Sequence, residues 1–331
     1  MLCEEVFYFP SDFNFLGVAK DLATRQLGIE SISSEFTPCQ GGYSDTVDVL
    51  LKSDQHVIIQ FRSSPLHKTH DSIHKIARRL LGDKVPTIIA LRDNLLGEKH
   101  GYAYLMPRIP GRTLNDVNTR VEWTDHQLLN FAGSLGKVCG QSFYTTSIGQ
   151  AEIPNSDTVI PLLEKMILLE SISSWQPTIK NLLLLVPELT ELPLFLRHPD
   201  LHRGNILVDE NAEITGVIDW EELVRPRYRG TAIEYIVFLS QWSSCHLYDL
   251  MEKQFWTGLM EGLTEEAREI IEGNLELFQA SVLLGFIFDV MKLTESMLLD
   301  GWWMMRQGWA SNWIRYRIPP LREGSSAILK K

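Results

Sequence analysis

The sequence predicts an α+β fold in two parts, on three observations. Between residues 36 and 106, short β-branched and apolar runs stand between turns, as in strands, with one helical stretch among them. Pro107 and Pro110-Gly111 then break the chain. Beyond them apolar residues recur at helical spacing, apart from one hairpin at 206–218. The parts are therefore residues 1–106, a connector at 107–111, and 112–331.

Taken in order, Ser11 and Asp12 open a first helix, and Phe15, Val18, Ala19 and Leu22 share its face to about Leu27. Residues 46–51 and 56–62 are β-branched and apolar runs joined by 52–55, a hairpin. Residues 64–81 return to helical spacing through Ile73, Ile76, Ala77 and Leu80, and Gly82 stops them. Two more strands, 86–91 and 102–106, flank the turn 92–101. In the second part, Thr124-Asp125 caps a helix running to Tyr144, followed by helices at 157–171 and 175–185. Residues 231–242, 247–259 and 264–299 each read as one helix, the last capped by Thr264 with Glu265 and Glu266 in its first turn. Its apolar run at 277–288 is too short to span a membrane and is followed by Asp289 and Lys292, so it reads as buried.

The richest segment is HPDLHRGNILVDENAEITGVIDWEE, from His198 to Glu222. It sets His198, Asp200 and Asn205 in the pattern H-x-D-x-x-x-x-N, with Asp219 fourteen residues after the Asn. Phosphoryl transfer from a magnesium nucleotide needs such a set: one carboxylate to accept the proton of the attacking hydroxyl, an amide and a second carboxylate to hold the metal. Asp200 is the candidate base, and Asn205 and Asp219 are candidate Mg2+ ligands, hard oxygens for a hard cation. They can meet only if residues 206–218 fold back on themselves. His198 is expected to support the loop by hydrogen bonding, and His202 either to contact phosphate or acceptor or to lie on the surface.

This segment closely resembles the catalytic segment of the aminoglycoside phosphotransferase family, small-molecule kinases that share the bilobal fold of protein kinases. Residues 104–114 (YLMPRIPGRTL) resemble that family's inter-lobe hinge, and 40–47 (QGGYSDTV) its nucleotide-covering turn. The matches run from about 35 to 222, and the overall character is that of the family's large fungal branch. The resemblance implies a bilobal protein-kinase-like fold with an antiparallel sheet and a helix in the first lobe. It also implies a soluble, ATP- and Mg2+-dependent kinase acting on a hydroxyl of a small molecule. Gly41, Gly42, Ser44 and Met106 would then face the nucleotide.

One departure from that pattern matters. A kinase-type site needs a cation on the third strand against the α- and β-phosphates, and an acid on the following helix. Residues 57–62 (VIIQFR) contain no Lys; Gln60 and Arg62 share a face, and Arg62 alone brings a permanent charge. Asp71 is the acid nearest the start of the next helix. The alternative is a catalytically impaired pseudokinase that binds nucleotide or serves as a scaffold.

The 331 residues are 44 % hydrophobic and 22 % charged, the composition of a soluble globular protein. The first twelve residues hold two acids and a third at Asp12 but no basic region, which argues against a secretory signal. Cys3, Cys39, Cys139 and Cys245 are scattered, as expected of thiols in a reducing compartment, and the cytoplasm is the expected location. A net charge of −11 disfavours nucleic acid as a partner. Residues 1–106 carry −2 of it and the remainder −9, which suits a cationic acceptor or serves solubility. Trp220, Trp242 and Trp256 are among seven tryptophans from 220 onward. These either pack between helices or, at Trp302, Trp303 and Trp309, line an acceptor pocket. His67, His70 and His74 read as a polar helix surface, and Arg225, Arg227 and Arg229 as a solvated loop.

Overall fold

Strands β2 (Ser44–Leu51) and β3 (His56–Arg62) form the hairpin that their β-branched and apolar runs predict. They sit in a five-stranded antiparallel sheet, ordered β1-β2-β3-β5-β4, with β1 at Ser31–Phe36, β4 at Ile89–Leu91 and β5 at Tyr102–Pro107. The computed structural model describes residues 9, 11–38, 40, 44–66, 68–91, 101–117, 122–145, 156–198, 200–220, 232–290 and 315–322. Most of β1 was not expected to be a strand. Its sequence, SISSEF, lacks apolar alternation because it is an edge strand, and its pairing with Val47–Leu51 of β2 rather than its own pattern makes it one.

Helix α1 (Phe15–Leu27) covers one face of this sheet. It starts at Asn14 rather than at Ser11 or Asp12, because the Asn14 side chain accepts the Gly17 N–H at 3.0 Å. Ala19, Leu22 and Ala23 pack on Val47, Val49, Leu51, Ile59, Phe61 and Leu105, all buried. Phe9, Phe13 and Phe15 ring Phe61 with centroids 5.3–5.9 Å away. Fully buried Phe61 stabilises the layer by about 1.5–3 kcal/mol, and the partly buried Phe9, Phe13 and Phe15 each by less. Helix α2 (Lys68–Leu81) begins four residues later than expected, since Pro65 disfavours helical backbone at Ser64. His74 corrects another expectation. It is buried, 9 % exposed, and its Nε2 donates to the Pro86 carbonyl at 2.6 Å, so it is not part of a polar surface. The side chains of His67 and His70 lie outside the described residues.

By internal packing the chain divides into two units. The first is Met1–Val117 with Arg203–Asp209 and Thr215–Glu221; the second is Asn118–His202, Glu210–Ile214 and Glu222–Lys331. Short β6 (Arg112–Thr113) accounts for the hairpin strands joining the first unit, because it pairs with β9 (Ile206–Val208), itself beside β10 (Ile214–Val217). Gly111 makes that approach possible. At φ 116° it adopts a backbone closed to most residues, and a Cβ there would lie 2.7 Å from both Thr215 Oγ1 and the Val208 carbonyl.

The second unit is mostly helical, with one short antiparallel pair, β7 (Phe143–Tyr144) and β8 (Leu194–Phe195). Helix α3 (Asp125–Gln141) opens on a reciprocal capping box: Thr124 Oγ1 accepts the Gln127 N–H at 3.3 Å and Gln127 Oε1 the Thr124 N–H at 2.9 Å. It packs along α7 (Tyr248–Gly262), with Gly136 and Gly140 against the backbone of α7. Helices α4 (Ser156–Ile167), α5 (Gln176–Leu185) and α6 (Ile233–Leu239) fall close to their expected places. The single helix expected at 264–299 is corrected: α8 (Glu265–Gly273) and α9 (Leu275–Gly285) meet at a 93° bend, and a π-helical turn, Phe286–Val290, follows. Asn274 makes the break, leaving helical geometry at φ −133° while its side chain donates to the Ile270 carbonyl at 2.8 Å. The part of that stretch beyond 290 lies outside the described residues.

Residues 315–322 pack on α7 and α9 through Glu252 and Gln279. Tyr316 Oη donates to Glu252 at 3.1 Å, Arg322 to the same carboxylate at 2.6 Å, and Gln279 bonds the main chain at Tyr316 and Ile318. Trp220, Trp242 and Trp256 are buried, as core packing requires; Trp302, Trp303, Trp309 and Trp313 lie outside the described residues. Cys139 and Cys245 carry no disulfide, and burial raises the Cys139 thiol well above its ordinary range. Among the described residues no single helix is long and apolar enough to cross a membrane.

Candidate active site

The strand–turn–strand from β9 to β10 brings Asn205 and Asp219 together. The turn Arg203–Asn205 leads directly into β9, and Ile218 follows β10. Between these strand ends the Ile218 N–H donates to the Asn205 carbonyl at 3.0 Å. Asp219, the next residue, has φ 65°, a left-handed backbone uncommon outside glycine but tolerated by Asp. Trp220 anchors this turn: 1 % exposed, it donates through Nε1 to the Val217 carbonyl at 2.9 Å. Strained backbone held by a buried anchor is a common mark of a functional position. Asn205 is 6 % exposed. An amide oxygen and a carboxylate from adjoining strand ends form a hard-donor pair that fits Mg2+.

The second group lies on the sheet face opposite α1. In the β2–β3–β5 ladder Ser44 opposes Arg62, Ile58 opposes Met106, and Arg62 opposes Tyr102. Directly opposed residues share a face, and so do residues two apart. Ser44, Gln60, Arg62 and Met106 therefore stand on one face, each half-buried. Gln60 Nε2 donates to Ser44 Oγ at 3.2 Å, so its amide is already engaged on this face. Nearer the connector, buried Asp48 bonds His56 Nδ1 and Arg108 Nη1, each at 2.8 Å. Gly41 and Gly42 lie outside the described residues.

Asp200 belongs to the second unit, and its local frame is clear. His198 is 1 % exposed, and its Nδ1 accepts the Asp200 N–H at 3.1 Å. A backbone amide can only donate, so Nδ1 carries the lone pair and the neutral ring holds its proton on Nε2. His198 thus supports the loop, as expected. The Asp200 carboxylate is 61 % exposed and stands 3.4 Å from His202 Nε2. Glu221, Glu222, Arg225, Arg227 and Arg229 lie outside the described residues.

A family model described as "Phosphotransferase enzyme family" matches residues 35–225, more than half of the chain. The chain belongs to the phosphotransferase enzyme family. Its first unit of sheet and helix and its helical second unit give this phosphotransferase the α+β architecture expected from sequence. Among solved structures, it is similar to a spectinomycin phosphotransferase in complex with ADP and spectinomycin. The identity is 15 %, the TM-score 0.43, and coverage 80 % of this chain and 93 % of that one. A macrolide 2'-phosphotransferase from Brachybacterium faecium has 15 % identity and a TM-score of 0.46, over 91 % of this chain and 99 % of that one. An amicoumacin kinase in complex with AMP-PNP, Ca2+ and Ami has 13 % identity and a TM-score of 0.40, over 85 % and 86 %. A comparison with curated proteins finds no match.

Asp48, Trp220 and Arg203 stand beside the candidate residues, and the sequence pattern gives none of them a role there. Trp220 reads in sequence as an aromatic packed between helices. Arg203 carried a signal that could have found it, since it is the sole permanent cation between His198 and Asn205.

Proposed function

We propose that this phosphotransferase uses ATP and Mg2+ to phosphorylate a hydroxyl group of a small, cationic molecule. The observation that carries the reading is the Ile218–Asn205 hydrogen bond, which holds the two metal-binding candidates at neighbouring strand ends. Bound there, the metal would supply charge neutralisation for the transferring phosphates. Asn205 and Asp219 would hold it. Asp200 would accept a hydrogen bond from the acceptor hydroxyl and take its proton as that oxygen bonds the γ-phosphorus and the bond to the departing ADP oxygen breaks, with His198 fixing the loop backbone. Arg62 would meet the α- and β-phosphates, with Gln60, Ser44 and Met106 on the same sheet face toward the nucleotide and Gly41 and Gly42 in the covering turn. The charge of −9 beyond residue 106 supports a cationic acceptor.

The test is calorimetric titration of Mg-ATP, followed by a γ-phosphate consumption assay over hydroxylated amines, neutral alcohols and sugars. Asp200→Asn should keep nucleotide binding and lose turnover by about 10²–10⁴-fold. Asp219→Ala should lose Mg2+-dependent binding as well. Wild-type protein that binds no Mg-ATP at millimolar concentration rules out the kinase reading. Binding without turnover on any acceptor favours the pseudokinase. An acceptor whose affinity ignores ionic strength returns the negative charge to a solubility role.

A further inference from the structure

The Arg203 side chain ties the turn that carries Asn205 to the segment leaving the connector. Its guanidinium donates through Nη2 to two main-chain carbonyls, Leu114 at 3.2 Å and Val117 at 3.1 Å. The backbone reciprocates: the Asn115 N–H donates to the Arg203 carbonyl at 3.1 Å and the Leu114 N–H to the Ile206 carbonyl at 2.8 Å. The receiving segment is firmly seated. Leu114 and Val117 are 0 % and 4 % exposed, and the Asp116 N–H closes a turn on the Thr113 carbonyl at 2.9 Å. A planar guanidinium can serve two carbonyls in a fixed direction, whereas an ammonium is a point charge on a flexible stem.

We propose that Arg203 is a positioning residue for the metal-binding turn. By clamping Arg203–Asn205 to residues 114–117, it presents the Asn205 side chain at the start of β9, beside Asp219. The proposal rests on the reading of Asn205 and Asp219 as Mg2+ ligands. Without the guanidinium, the Asn115, Leu114 and Ile218 amides still hold the main chain of the turn, but the two side-chain bonds that fix its direction are gone. The metal must then order that turn at the expense of its own affinity. Groups that orient metal ligands commonly matter at this level, about 10–100-fold in affinity or activity.

The experiment is calorimetric titration of ATP into wild-type, Arg203→Lys and Arg203→Met proteins over a series of Mg2+ concentrations, with unfolding temperatures measured in the absence of metal. Arg203→Met should need about tenfold more Mg2+ for half-maximal nucleotide binding and recover binding when Mg2+ saturates. Arg203→Lys should fall between the two. A folded Arg203→Met protein with the wild-type Mg2+ requirement, whatever its unfolding temperature, overturns the proposal. If Arg203→Met does not fold, Arg203→Lys decides: an unchanged Mg2+ requirement sinks the idea and a raised one supports it. Wild-type protein that shows no Mg2+-dependent nucleotide binding would instead overturn the assignment of Asn205 and Asp219, a result separate from any difference among the variants.

Discussion

Replacing Gly136 with alanine places a methyl group against the backbone of the neighbouring helix. A Cβ at Gly136 would overlap the Phe255 carbonyl oxygen and lie 2.7 Å from the Phe255 carbonyl carbon and 2.9 Å from the Leu259 nitrogen. Carbon contacts are comfortable at about 3.5–4.0 Å, so α3 and α7 must part by on the order of 1 Å. No rotamer change can absorb this, because every one of those atoms is main chain. Parting them loosens Phe131, Leu135, Phe255 and Leu259, all fully buried. Overpacking of this kind costs about 1–3 kcal/mol, while alanine regains about 1 kcal/mol of helix propensity. With rigid backbone on both sides the upper part of that range applies, leaving a net loss of about 1–2 kcal/mol. Thermal unfolding followed by tryptophan fluorescence should show a midpoint lower by about 1–3 °C for a chain of 331 residues. Gly133→Ala is the internal control. Its Cβ would meet only the Gln254 carbonyl oxygen, at 3.8 Å, so it should be neutral or stabilising by up to about 1 kcal/mol. Equal losses at the two positions, or no loss at Gly136, would refute the packing argument.

Arg62→Ala should weaken Mg-ATP binding by about 1.5–3 kcal/mol, the worth of a charge-assisted contact, and Gln60→Ala much less; Gln60→Lys should preserve or strengthen binding. Calorimetry on the three variants checks this, and an indifferent Arg62→Ala would place the phosphate contact elsewhere. Glu252→Ala removes the carboxylate shared by Tyr316 and Arg322. Losing a buried pair is costly, but Arg322 is 44 % exposed, so about 1–3 kcal/mol is expected in equilibrium unfolding. Burial and then the Glu252 charge push the Tyr248 phenol up to about 12 from 10.0. The folded state therefore keeps that proton longer than the unfolded chain does. Its contribution is complete below about pH 10 and declines as pH rises toward 12, by at most about 1.4 kcal/mol per unit. Tyr248→Phe should flatten the alkaline limb of a stability–pH curve, and an unchanged limb would contradict this.

Local pattern was enough to place much of this phosphotransferase. The β-branched and apolar runs at 46–51 and 56–62 predict both strands, and the two-residue period of a strand puts Gln60 and Arg62 on one face. The spacing from Asn205 to Asp219 required a hairpin, and β9 and β10 form it. Thr124 and Thr264 announced their helices because a cap is a contact between residues three apart. Where local signals competed, the reading slipped. Asn274 was absorbed into an apolar run long enough to suggest one helix, and β1 was mostly passed over because its side chains are polar.

What remained hidden depends on residues distant in the chain. Nothing near Gly136 reveals that it faces Phe255, more than a hundred residues on; only the packed pair of helices excludes a Cβ there. Arg203 shows a lone cation in sequence, but its two carbonyl partners lie on a segment almost ninety residues earlier. The sequence by itself determined the chemistry-bearing residue types, their spacing and the face each strand presents, because these follow from backbone period and chain connectivity. The tertiary structure decided which backbones come close enough to need glycine, which carbonyls receive Arg203 and how the Asn205 and Asp219 strand ends are bonded. Those are distances between segments, and no local period encodes them.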